Sequence, residues 1–354
     1  MKKKFDMVFF TNQPAFYKIN LYNEISKNKK ILVIFLGTIE NDRTKDFITG
    51  NMNFEYLFIN ETECEKRDKL KSCFKLIKIL KNIEYDLIIT MGWSCIEDFL
   101  ISFICPKNKN GLVCESSIYE SKLDNWKKYL KKLICFRMSY AFVSGQPHKE
   151  IFEKLNFKGK IVITGGVGLF NKNNKEIKEI ENNKKEFKYL CVARLIPVKN
   201  LEFLINVFNK NKKSLTIAGQ GILEEKLKKI AKENIKFTGH IPNKEIGKLY
   251  QEHDIFILPS KSETWGLVVE EALYNGLPVI VSDKVGSNID LVKNYNSGEI
   301  FQFDSEEDLN KKINILEKNY DYYKKNVNKI NFKEREKQQI ESYNIYIYKY
   351  SKKL

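Results

Sequence analysis

The chain has 354 residues, 43% hydrophobic and 13% aromatic, too apolar for disorder and long enough for two folded domains. Basic residues outnumber acidic ones by 61 to 45, a net charge of +16, which directs attention to an anionic partner: nucleic acid, a membrane surface or a phosphorylated small molecule. Only five basic residues are arginine, whose fork suits phosphate and guanine, so nucleic acid is disfavoured; no apolar run approaches the roughly 18 residues of a membrane span.

The opening Met1-Lys2-Lys3-Lys4 resembles the basic start of an export signal. Asp6 and the polar Thr11-Asn12-Gln13-Pro14 interrupt the apolar stretch that should follow, so a cytoplasmic protein is expected. Short β-rich runs then alternate with amphipathic stretches. Strands are expected at 5–10, 31–36, 54–59, 85–90, 111–114, 140–144 and 160–164, then at 188–193, 214–218, 235–239, 254–259 and 277–282. Helical patterns fall at 66–82, 126–137, 200–209, 221–233, 243–252 and 305–318. Strand, helix, strand repeated this often implies an α/β protein with doubly wound parallel sheets. Residues 1–170 form a first domain, the polar 171–187 a linker, 188–330 a second domain, and 331–354 a terminal helix. Tyr343, Ile347 and Tyr350 share one face of that helix, which is expected to pack back on the first domain. Two such domains facing across a cleft would bind ligands beyond the carboxyl ends of their strands.

Within 69–82, Leu70, Phe74, Ile77 and Leu80 are expected inward and the lysines outward; 126–137 is comparable. Each is either a helix with a solvated basic face or a surface that rests on anionic lipid. The cysteines at 64, 73, 95, 105, 114, 135 and 191 are odd in number and contain no Cys-x-x-Cys, so neither disulfides nor zinc is indicated. The three histidines, 148, 240 and 253, lack metal-ligand spacing and no Asp-x-Asp occurs. No obligatory metal or cofactor is expected.

The most informative stretch is PSKSETWGLVVEEALYNGLPVIVSD, residues 259–283. A strand ends in a polar loop, and Trp265 to Asn275 read as a helix that Gly276 and Pro278 stop. The amides around Trp265, Gly266 and Leu267 would form an anion site, with Gly266 letting a phosphate approach the backbone. Glu263 and Glu271, seven residues between them, lie on the order of 10 Å apart, suited to two parts of an extended ligand. A helix entry favoured by the macrodipole is the plainer account of the same spacing, and Glu270 leaves the register open by one residue. In CVARLIPVKN (191–200), a strand emerges into a loop bearing Arg194 and Lys199. Such a pair would neutralise a diphosphate leaving group, or be an ordinary surface pair. TIAGQGILEEKL (216–227), with Gly219 and Gly221, and FTGHIP (237–242), with His240 and Ile241, are further strand exits able to contact a nucleotide. ITGGVG (163–168) is compatible with a hinge or with sugar passage.

As a set these residues resemble glycosyltransferase family 4, the retaining nucleotide-sugar enzymes of the GT-B fold. The resemblance spans the second domain and touches the first through TNQPAFYKINLYNEI (11–25), CESSIYES (114–121) and VSGQPHKEIFEKLNF (143–157). It implies that Arg194 and Lys199 hold the donor diphosphate, Glu271 the ribose and Glu263 the donor sugar, with the Gly266 and Leu267 amides assisting. It further implies a cytoplasmic enzyme of surface-polysaccharide synthesis working on a glycan or lipid-linked acceptor. The chain departs from the pattern where many members carry a first-loop glycine pair, and at Cys114-Glu115, where many have a histidine. Glu115 is thus either a catalytic polar contact or base, or structural. The segment before the linker reads Gly165-Gly166-Val167-Gly168, without the family's acid. Competing readings are an epimerase or phosphorylase on the same scaffold, and a non-catalytic basic protein binding nucleic acid or lipid.

Overall fold

The computed structural model describes residues 2–38, 50–121, 123, 126–172 and 186–344. It divides into two compact units. One comprises the described residues up to Phe170 together with those from Lys333 on, the other those from Asn171 to Phe332.

Among the described residues the first unit holds a seven-stranded parallel sheet: β1 (Lys3–Thr11), β2 (Ile31–Phe35), β3 (Glu55–Phe58), β4 (Ile83–Thr90), β5 (Asn110–Cys114), β6 (Tyr140–Val143) and β7 (Lys160–Ile163). Its spatial order is β3-β2-β1-β4-β5-β6-β7. The central strands are continuous apolar runs because helices cover both faces. Met7, Phe9, Val33 and Leu87 face one cluster; Val8, Phe10, Ile34 and Ile88 face the other. Around them lie α1 (Phe16–Ser26), α2 (Lys69–Lys81), α3 (Ile96–Ile104), α4 (Lys127–Phe136) and α5 (Gln146–Lys154).

The second unit repeats the plan with β8 (Lys188–Val192), β9 (Ser214–Ala218), β10 (Ile235–Gly239), β11 (Ile255–Leu258), β12 (Val279–Ser282) and β13 (Gly298–Phe301). The order is β10-β9-β8-β11-β12-β13. Its helices are α6 (Leu201–Asn211), α7 (Glu224–Ile230), α8 (Ile246–Gln251), α9 (Leu267–Tyr274), α10 (Glu306–Lys318) and α11 (Tyr320–Asn328). Strand order reverses between β1 and β4 and again between β8 and β11. At such points the flanking connections leave on opposite faces and open a crevice.

After the second unit the chain enters α12 (Phe332–Ser342) and rejoins the first unit. Tyr343 stacks on Phe142, ring centroids 5.0 Å apart and 7° from parallel, and meets Phe9 edge-on at 5.8 Å. The terminal helix does pack back on the first sheet. Ile347 and Tyr350, and most of the expected linker (173–185), lie outside the described residues.

Two expectations need correction, and two elements escaped the sequence reading. The inward face of α2 is Ser72, Leu76 and Leu80, whereas Leu70 and Phe74 are about 70% exposed. Ser72 can be buried because its hydroxyl donates to the Asp68 carbonyl and exchanges bonds with Asn60, so a polar residue leads the i, i+4 ridge. The helix expected from Trp265 starts at Leu267, because Gly266 is left-handed (φ 87°) and serves as its N-cap. Strand β13 was not foreseen: its Glu299 pairs with Lys312 and accepts from the Tyr323 hydroxyl, which masks the apolar pattern. A π-helical turn, Asn288–Lys293, was also unforeseen.

Candidate functional site

In the second unit the loops leaving β8 and β11 flank the reversal point. The β8 loop runs through Arg194 to a 3₁₀ turn, Pro197–Lys199, which ends at the left-handed Asn200 and feeds α6. The β11 loop is tied to it by the Lys261 amide, which donates to the Val198 carbonyl at 2.8 Å. Lys199 Nζ then donates to Glu263 Oε2 across the gap, with both side chains largely withdrawn from water. Glu263 is held from behind by the loop after β12: its amide donates to the Lys284 carbonyl and its carbonyl accepts from the Gly286 amide. Arg194, on the same loop as Lys199, is exposed.

Helix α9 begins just beyond this pair. The first amides of a helix have no intrahelical partner, which makes the Leu267 end of α9, beside its N-cap Gly266, the end suited to an anion. Trp265 is buried beneath them and its indole N–H donates to Glu270 at 3.3 Å. That contact fixes the register. Glu270 turns into the core, while Glu271 is half-buried and accepts from the Tyr250 hydroxyl at 3.1 Å. Burial lifts the Glu271 carboxyl to about 7; the Tyr250 bond opposes the rise and neighbouring Glu270 adds to it.

At the β9 exit, Gly219 has φ 134°, and a Cβ there would lie 2.0 Å from the Ala193 carbonyl oxygen. Its amide donates to the Gly239 carbonyl at 2.8 Å. This glycine therefore brings the β9 turn against the β8 loop, and its N–H is already spent within the protein. His240 is exposed and Ile241 half-buried after β10. Buried Asn200 Nδ2, Ser260 Oγ and Ser287 Oγ have no partner among the described residues. Sequence reasoning missed these and Tyr250; they come from four separate segments and carry no shared motif.

In the first unit, Glu115 follows β5 and pairs with Lys18 of α1 at 2.8 Å. Burial works against the Lys18 charge, but Glu115 more than offsets it and holds the amine above the ordinary lysine range. The pair borders a small cavity at the carboxyl ends of β1, β4 and β5, lined also by Thr11, Tyr22, Thr90 and Tyr343. Among the described residues no cluster of three or more His, Cys, Asp or Glu is arranged to hold a metal ion.

Comparison with known proteins gives the following. Residues 172–336 match the model of the family described as glycosyl transferases group 1. Over 267 residues the chain is 28% identical to the O-antigen biosynthesis glycosyltransferase WbnH of Escherichia coli, covering 71% of this chain and 73% of that protein. A 146-residue stretch is 32% identical to an uncharacterized 41.2 kDa protein in the cps region of Klebsiella pneumoniae. That match covers 40% of this chain and only 39% of the relative's own length. Among solved structures, the apo form of the lipopolysaccharide outer core galactosyltransferase WaaB superimposes with a TM-score of 0.72, at 15% identity, over 97% of this chain and 99% of that one. The fold is GT-B. A second GT-B neighbour, Anabaena HepE in complex with UDP and glucose, gives 0.66 at 15% identity over 99% and 100%. The family match is confined to residues 172–336, which take in most of the second unit.

Proposed function

We propose that the protein is a retaining glycosyltransferase of family 4. It would move a hexose-type sugar from a nucleoside diphosphate to a hydroxyl of a glycan or lipid-linked saccharide in bacterial surface-polysaccharide synthesis. The observation that carries this is the Lys199–Glu263 pair spanning the reversal point of the second sheet, beside the N-terminus of α9. Arg194 and Lys199 supply the positive charge that a departing diphosphate needs, each charged hydrogen bond contributing about 1.5–3 kcal/mol. Glu263 accepts from hydroxyls of the donor sugar and Glu271 from the ribose diol. As the bond from the anomeric carbon to the phosphate oxygen breaks, the acceptor oxygen attacks on the same face, and its proton passes to a phosphate oxygen. With lysine and arginine neutralising the diphosphate, this chemistry does not call for a metal. A nucleotide-sugar donor places the reaction in the cytoplasm.

The acceptor side is proposed to meet an anionic membrane surface. At the N-cap of α4 and along it, Trp126, Tyr129 and Phe136 stand roughly two-thirds exposed among Lys127, Lys128, Lys131 and Lys132. Arg137 and Lys107 sit over the neighbouring Phe103 and Phe136 rings at 5.8 and 4.7 Å. Aromatic side chains interleaved with lysine suit the headgroup region of acidic lipid.

A thermal-shift series with UDP-, GDP-, dTDP- and ADP-sugars, without added metal, tests the donor reading. A ligand at 100 times its Kd stabilises by about 2.7 kcal/mol. A base-selective shift lost in Arg194→Ala is expected. Silence from every nucleotide sinks the reading.

A further inference from the structure

Tyr250 lies near the end of α8 and is fully buried. Its ring packs against Phe256 of β11 with centroids 5.9 Å apart, so a phenylalanine would fill the same space. The hydroxyl needs a separate reason, because a buried O–H must be paired. Among the described residues it meets two acceptors, Glu271 Oε2 at 3.1 Å and the Val268 carbonyl at 3.4 Å. A hydroxyl has one proton to give, and the Val268 carbonyl lies in the first turn of α9, where the amide four residues on is its helical partner. The ionised carboxylate is the nearer and the stronger acceptor. Its other oxygen, Glu271 Oε1, has no hydrogen-bond partner among the described residues.

The frame that carries this hydroxyl is held by other bonds. Just after α8, the His253 ring meets the Leu249 carbonyl at 2.7 Å and Thr216 Oγ1 at 2.8 Å. Gln251 Nε2 donates to Asn275 Oδ1, at the end of α9, at 3.4 Å. At the start of α8 the Glu245 and Ile246 amides donate to the Pro242 carbonyl at 2.8 and 3.1 Å, so the loop with His240 and Ile241 turns straight into the helix. A glutamate side chain has several rotatable bonds and loses that freedom only where something holds its end. Resting on the transferase reading, we propose that Tyr250 is a positioning residue of the donor site: its hydroxyl pins Glu271 Oε2, so that Oε1 is presented to the ribose diol and the site selects ribose over 2′-deoxyribose. The groups that titrate around this carboxyl are Tyr250 from α8, Glu270 on its own helix and, behind Tyr250, the buried Cys191 of β8.

The test is calorimetric titration at pH 9 with UDP, GDP and ADP, with their 2′-deoxy counterparts and with dTDP. That pH is well above the Glu271 value of about 7, so the carboxyl is ionised and the comparison reads its position rather than its charge. In the wild type the tightest ribonucleotide should bind about ten-fold better than its 2′-deoxy form, the worth of one hydrogen bond to a charged group. Tyr250→Phe should cut that preference to about two-fold and leave the deoxynucleotide within two-fold of its wild-type affinity. A merely structural hydroxyl would weaken both alike. Glu271→Gln should lower the preference as far, and adding Tyr250→Phe to it should change nothing more, because the two residues act as one unit. If no nucleotide binds the wild type, the transferase reading fails and this proposal with it. The proposal alone is overturned if dTDP alone binds, or if the wild type is indifferent to the 2′-hydroxyl. It is equally overturned if Tyr250→Phe keeps the ten-fold preference, weakens both nucleotides alike, fails to fold, or adds a further loss to Glu271→Gln.

Discussion

Each sheet carries a lysine–glutamate pair beside the point where its strand order reverses, and the two pairs are built in opposite ways. Lys199 and Glu263 come from two loops and are about equally withdrawn from water, 16% and 14% exposed. Lys18 comes from within a helix and is much more deeply buried than its partner Glu115. A pair borne on loops separates at small backbone cost when an anion arrives to take the lysine. One anchored in a helix keeps its geometry and orients whatever meets the exposed member. On the proposed function, the same two residue types would serve exchange in one unit and fixation in the other.

The sharpest way to break this comparison is Lys199→Ala. If the lysine leaves Glu263 for the diphosphate, transfer from a nucleotide sugar should fall 10²–10³-fold, about 3–4 kcal/mol of transition-state stabilisation. A loss below about five-fold in steady-state rate would end that role. Gly219→Ala comes next. A Cβ there collides with the Ala193 carbonyl at a positive φ, so about 2–3 kcal/mol of stability should be lost in urea unfolding. The loop bearing Arg194 and Lys199 should be displaced with it.

The asymmetry of the first pair predicts unequal costs. Glu115→Ala leaves an ammonium buried, for about 2–3 kcal/mol, whereas Lys18→Met leaves a carboxylate that water still reaches, for about 1 kcal/mol. Equal losses in urea titrations would mean the two members are not differently buried in solution. The smallest effect concerns Glu271. Its folded pKa of about 7 lies above the ordinary 4.5 because of burial, so the folded protein retains a proton that the unfolded chain has released. The stability this group gives is complete at pH 4 and lost as pH rises through 7. Glu271→Gln should therefore gain about 1 kcal/mol over wild type at pH 8 and nothing at pH 4, the figure being discounted for partial exposure. If the ionised carboxylate is the acceptor for a ribose diol, as proposed, nucleotide affinity of the wild-type protein should rise over the same interval.

What could be read in the sequence follows from how local each feature is. Strands that are contiguous apolar runs, such as Ile31–Phe35 and Ile255–Leu258, were legible at once, and others, such as β4 with Glu84 and Asp86, kept enough apolar residues to be read. Strand β13 hides because Glu299 interrupts it, and the inward face of α2 hides because Ser72 leads it. In the second unit Arg194, Lys199, Glu263 and Glu271 fall in two short motifs. The groups that set their state do not: Tyr250 stands 21 residues before Glu271 on another helix. In the first unit Glu115 was legible as a departure from pattern, while Lys18 looked like one more lysine in a lysine-rich chain. Only the fold brings it under the sheet.

The packing of Tyr343 against Phe142 and Phe9 also bears on how the chain is made. All seven strands of the first sheet leave the ribosome before any of the second, yet the aromatic surface at its centre is capped by a residue that follows the whole second unit. At about 5–20 residues per second, that interval lasts roughly 10–35 s. During it the nascent first unit presents Phe9 and Phe142 without their final cover, a window in which a chaperone or an early stop in translation would matter most.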